Sequence, residues 1–137
     1  MKKLLFLALL CFSIISCDIN GDSNPPNFVT EFMPIQSVDV PDEFMVGETY
    51  TITARYFRPD DCYEFSDFFI STSINETTVA VINNVFLDGP CNTLNDLEEE
   101  SFDFIVLSNQ TYVFNFWQGV DESGEDVYLT INVPVVE

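Results

Sequence analysis

The chain has 137 residues, with four basic against 23 acidic side chains, no histidine and a formal charge of −19. A field of that sign repels nucleic acid and anionic headgroups, so neither is an expected partner. With 47% hydrophobic and 15% aromatic residues the chain is far from the composition of disordered segments and can fill a core.

The first element is Met1-Lys2-Lys3 followed by the uncharged run from Leu4 to Ile15. A basic start and an apolar run shorter than the roughly 18 residues of a membrane span read as an export signal. The run closes in Ile14-Ile15-Ser16-Cys17, which resembles the lipobox of bacterial lipoprotein signal peptides. Ser16 is small enough for cleavage before Cys17, whereas the bulky Leu10 argues against Cys11. The resemblance implies that residues 1–16 are removed and that Cys17 is acylated, anchoring the chain to a membrane. Several acyl chains on one residue hold firmly, since each buried methylene adds about 0.8 kcal/mol. Both lysines leave with the signal, so only Arg55 and Arg58 face the 23 acids, for a formal charge of −21.

Residues 17–34 read as the lipidated N-terminus and a flexible tether, because Asp18-Ile19-Asn20-Gly21-Asp22-Ser23-Asn24-Pro25-Pro26 is rich in turn formers. Its opening is similar to an EF-hand calcium loop, but Ser23 stands where glycine is needed and Val29 where a bidentate glutamate is needed. A plain spacer is expected.

Residues 35–137 form one domain with a period of two, the signature of half-buried strands. Strands are expected at Ile35 to Val40, Tyr50 to Tyr56, Glu64 to Ser71, Thr78 to Phe86, Ser101 to Leu107, Thr111 to Trp117 and Val127 to Val133. Phe68-Phe69 breaks the alternation and suggests a bulge. Turn residues separate the runs, and Ser108-Asn109-Gln110 and Asp121 to Asp126 are expected to close hairpins. The sequons at Asn75 and Asn109 are likewise read as turns. Leu94 to Glu100 alone hints at a single helical turn. About seven strands in some hundred residues predict an all-β fold, an antiparallel sandwich of the immunoglobulin or fibronectin kind.

With Cys11 discarded and Cys17 acylated, Cys62 and Cys91 remain as a pair in an exported protein, and a disulfide is expected. Closing a loop of about 30 residues contributes roughly 3–4 kcal/mol in the chain-entropy model.

The lead-in Val40-Pro41-Asp42 through Val46-Gly47-Glu48 and the closing Tyr128-Leu129-Thr130-Ile131-Asn132-Val133-Pro134-Val135, together with the lipobox, resemble small acidic envelope lipoproteins of Gram-negative bacteria that carry one immunoglobulin-like domain. The resemblance implies a lipid-anchored protein of the cell envelope, at the outer membrane on its periplasmic face or the cell surface. In antibody-type domains the disulfide crosses the core against a tryptophan. Here Trp117 follows both cysteines, which sit beside turn residues, so the bond is expected to pin a loop or an edge.

Catalysis is narrowed by subtraction. Without histidine, without lysine after residue 16 and with both remaining thiols paired, Ser-His-Asp, Cys-His, Ser-Lys and Schiff-base mechanisms have no residues to run on. Carboxylate pairs remain, but with 23 acids their proximity says little. Two binding candidates stand out. Trp117 lies on the strand face opposite Phe114 and Phe116, where an exposed ring stacks on sugars. No cofactor is expected, but Asp121, Glu122, Glu125 and Asp126, or else Asp96-Leu97-Glu98-Glu99-Glu100, offer hard oxygen ligands for calcium without matching a known calcium-loop spacing. The expectation is a non-catalytic, membrane-anchored binding, adhesion or assembly module with envelope proteins or glycans as partners. The alternatives are a glycan-binding accessory module and a calcium-binding acidic sandwich.

Overall fold

The structure, a computed structural model, describes residues 27–137; the expected export signal, Cys17 and the first part of the expected spacer lie outside the described residues. Ten strands follow in chain order: β1 (Phe28–Met33), β2 (Ile35–Asp39), β3 (Phe44–Met45), β4 (Thr49–Asp60), β5 (Tyr63–Ser73), β6 (Glu76–Phe86), β7 (Thr93–Ile105), β8 (Tyr112–Val120), β9 (Asp126–Val133) and β10 (Val135–Val136). The fold is the all-β sandwich that the alternating pattern predicts. One sheet holds β5, β6, β1, β8 and β9, and the other holds β2, β4 and β7; β3 and β10 form a short parallel pair. The long pairings are antiparallel except β6 with β8, which is parallel.

The core lies between the sheets. Ile35, Ile52, Ala54 and Tyr56 enter from the three-stranded sheet, and Val79, Val81, Phe114, Phe116 and Val133 from the five-stranded one. Phe44 plugs one end, with Tyr50, Phe104, Tyr112 and Phe114 within 4.7 to 6.1 Å of its ring. Tyr112, at the start of β8, accepts hydrogen bonds on its hydroxyl from the Leu107 and Ser108 amides at 3.0 and 2.9 Å. A tyrosine tied back to the preceding turn in this way is a feature of immunoglobulin-type sandwiches.

All seven expected strands form, and the structure revises four local expectations. Phe28–Met33, assigned to the tether, is strand β1 on β6. It is exposed on both faces up to Met33, so no half-buried alternation marks it. Leu94 to Glu100 is extended rather than helical: acids are poor strand formers, but the facing strand β4 sets Arg55 against Glu99 and Asp39, and Arg58 against Glu98 at 3.1 Å. Ser108-Asn109-Gln110 does not close a hairpin, because β7 and β8 belong to different sheets. Phe104 and Phe114 meet across the core, 5.0 Å between ring centroids, and that burial sends the chain across after the turn. The register shift in β5 falls between Phe65 and Asp67, just before the phenylalanine doublet. Past it, Phe68 turns inward to Phe102 at 4.9 Å and Phe69 turns outward.

The expected disulfide joins Cys62 to Cys91, across a sequence separation of 29. It links the β4–β5 turn to the loop before β7 rather than crossing the core. Asp61 and Asn92 brace the same junction: the Asn92 amide and side-chain nitrogen donate to the Asp61 carboxylate at 2.7 and 2.8 Å. These bonds, the side-chain one first, hold the Asp61 carboxyl below its usual range.

Candidate functional site: an aromatic cleft on the outer sheet face

The central strand β6 carries β5 along one edge, while its other edge is shared. Residues Glu76–Val79 pair with β8 and residues Val81–Phe86 pair with β1, so the changeover falls at Ala80. Two backbone features keep β1 and β8 from meeting there. Pro34 has no amide hydrogen to extend a ladder, and the chain crosses to the other sheet as β2. On β8 the register with β9 shifts after Trp117, and Gly119 takes a φ of +104°. A side chain at Gly119 would meet Pro34 at 3.5 Å, and the backbone conformation itself favours glycine. Gln118 ties the two segments by donating to the Ile35 carbonyl at 3.2 Å.

The notch that results is a cleft of about 230 Å³ on the solvent face of the five-stranded sheet, lined by Phe32, Phe69, Thr78, Ala80, Trp117, Asp126 and Tyr128. Thr78 and Ala80 are small and form the floor, while rings from β1, β5, β8 and β9 form the walls. Phe32 meets Phe69 at 5.8 Å and 81°, and Trp117 at 6.0 Å and 61°. Phe32, Phe69 and Tyr128 keep 52, 44 and 40% of their surface exposed, although they stand together. Scattered exposed apolar residues are ordinary, but a contiguous aromatic group rimmed by polar residues marks an interaction site. On the solvent face of the other sheet, Thr51 with Asp103, Thr53 with Ser101, and Arg55 with Asp39 and Glu99 form a run of polar pairs, followed by the exposed pair Phe57 and Leu97.

Asp126 sets the electrostatics of the cleft. Its Oδ1 accepts from the Trp117 Nε1–H at 2.8 Å and its Oδ2 from the Tyr128 hydroxyl at 3.4 Å. Desolvation, then the charge of Asp126, raises the Tyr128 pKa above its ordinary value. Beside the cleft, Asn115 donates to Glu76 and accepts from Thr130, both at 2.7 Å, giving a polar strip. Asp126 is the one carboxylate among the lining residues. Acid–base chemistry of the glycosidase kind uses a second carboxylate across the reacting bond, and among the described residues none lines the cleft beside Asp126.

The acidic turn does not act as a unit. Asp121 closes its own loop, its Oδ1 accepting from the Ser123 amide and hydroxyl and from the Glu125 amide at 2.8, 2.6 and 3.0 Å. The Ser123 bond and then the Glu125 amide hold the Asp121 carboxyl below its usual range. Asp126 turns toward Trp117 instead, and Glu122 and Glu125 stay exposed. Among the described residues, the one group of three potential ligand atoms within 4.8 Å is Asp60, Cys62 and Cys91, and both of its sulfurs are spent in the disulfide.

Of the residues singled out from sequence, Trp117 and Asp126 come together in the cleft. Phe32, Phe69, Thr78, Ala80 and Tyr128 were missed. Two of them carried a signal: one ring of Phe68-Phe69 has to face outward in a strand, and Tyr128 alternates with the inward Leu129 and Ile131. Comparison with known proteins finds no family model, no curated protein and no solved structure that matches the chain.

Proposed function

We propose that this chain is a non-catalytic binding module, held at a membrane of the cell envelope through lipidated Cys17 and a short spacer, with the aromatic cleft as its ligand site. The observation that carries the reading is the cluster of half-exposed rings standing over a floor of two small residues. Covering about 100 Å² of such apolar surface stabilises a complex by roughly 2.5 kcal/mol before ordering costs. That suits a small ligand with an apolar face. A glycan-binding accessory module is a second reading supported by the same site, since Trp117 offers a ring and Asp126 an acceptor for sugar hydroxyls.

The test is a thermal-unfolding screen of the full chain against neutral oligosaccharides, short acyl compounds and organic cations, with Trp117→Ala in parallel. We expect at least one class to raise the midpoint saturably in the wild type and to lose that effect in the variant. If no class moves the midpoint, or if Trp117→Ala responds equally, the cleft is not the ligand site.

A further inference from the structure

Resting on the binding reading above, we infer that the cleft is an aromatic cage for a quaternary or methylated ammonium group, a cation rather than a sugar. A sugar ring lies flat on an exposed aromatic face, and a longer glycan needs faces that share a plane. Here Phe69 and Trp117 are inclined to Phe32 by 81° and 61°, so the rings form the walls of a corner. A corner surrounds a compact, round group and offers little to a flat one. Each ring face carries negative quadrupole charge, and a cation gains from it within about 6 Å of the centroid. The Phe32 centroid lies 5.8 Å from that of Phe69 and 6.0 Å from that of Trp117, the scale over which a cation gains from a ring face.

The polar groups point the same way. Among the described residues, the one acidic side chain lining the cleft is Asp126, held by the Trp117 Nε1–H and the Tyr128 hydroxyl. Among the described residues, no arginine, lysine or amide side chain lines it to recognise an anion or to donate to several hydroxyls. The chain's formal charge of −19 as synthesised concentrates cations at its surface. The volume of about 230 Å³ lies below the range of drug-sized pockets and fits a head group rather than a whole oligosaccharide. An alkylated ammonium also loses less hydration on entering an apolar corner than a bare one, so methylated nitrogen is favoured over a primary amine.

Trp117 is the only tryptophan, so its fluorescence reports on the cleft directly. The full chain, purified in a polyoxyethylene detergent that carries no sugar or choline group, is titrated with choline, with the neutral isostere in which carbon replaces its nitrogen, and with a neutral oligosaccharide. We expect choline to saturate the signal and the isostere to bind at least about tenfold more weakly. Asp126→Asn keeps an acceptor for the indole and removes the charge. It weakens choline severalfold and leaves the isostere unchanged; Phe32→Ala weakens choline as well. Equal binding of choline and its isostere would overturn the cation inference, as would insensitivity to Asp126→Asn. A saturating oligosaccharide with no response to choline would also overturn it, while leaving the cleft as a binding site. Silence from every ligand, here and in the wider screen, would remove both readings.

Discussion

Replacing Phe114 by alanine lowers the free energy of unfolding by about 3–5 kcal/mol, the range for deleting a fully buried phenylalanine ring. Phe114 is fully buried, and its ring lies 5.0 Å from Phe104 and 6.1 Å from Phe44, both edge to face, and 5.8 Å from Phe116, stacked. Phe104 comes from the opposite sheet, so the ring holds the two layers together as well as filling volume. Edge-to-face and offset pairs add stabilisation beyond buried area, and the loss is a large share of the 5–15 kcal/mol that domains of this size possess. Urea unfolding followed by circular dichroism checks it. The midpoint should fall with little change in slope, and a loss below about 1 kcal/mol would place the centre of the core elsewhere.

Removing the disulfide through Cys62→Ala together with Cys91→Ala lowers stability by about 3–4 kcal/mol on the chain-entropy account, for a closed loop of 29 residues. The junction it fastens retains the hydrogen bonds between Asp61 and Asn92, so the native fold remains reachable without it. Denaturant melts with and without reductant separate the effects. The wild type should lose stability on reduction and the double variant should not respond. Equal stability of the two proteins without reductant would contradict the role given to the bond. The cleft lies away from this junction, so its ligand affinity should survive the change while the protein stays folded.

The alternation of Ile52, Ala54 and Tyr56 in β4 and of Tyr112, Phe114 and Phe116 in β8 made the strands legible, because each run has one face in the core. The disulfide was legible from the elimination of Cys11 and Cys17. What alternation does not encode is which sheet receives the next strand: Ser108-Asn109-Gln110 has the turn residues of a hairpin and serves as a crossing between layers. Only the meeting of Phe104 with Phe114 decides that, and it is a contact between separate runs. β1 escaped for a related reason. Its exposed Phe28 and Phe32 carry no inward rhythm, yet the unshared part of β6 gives them a ladder to join.

The cleft was half legible. Trp117 was visible as an aromatic on the outward face of a strand, and Asp126 as an acidic residue next to it in the hairpin. That they bond to each other follows from the register of β8 and β9, which sets Trp117 against Tyr128 and Val120 against Asp126 across an irregularity. The acidic turn looked like a group of cation ligands because one-dimensional proximity counts every carboxylate alike. In the fold, Asp121 turns its oxygen back on its own loop and Asp126 points along the sheet. The corner of rings depends on β1 and β8 sharing one edge of β6, a long-range arrangement that no local pattern announces.

The proposed membrane address is tested most directly by the intact mass and membrane partition of the natively expressed chain beside its Cys17→Ala form. We expect a wild-type mass that lacks residues 1–16 and gains acyl chains, with retention in the membrane fraction that Cys17→Ala abolishes. A soluble, unacylated wild-type protein would contradict it, leaving a diffusible sandwich domain whose ligand is not sought at a membrane.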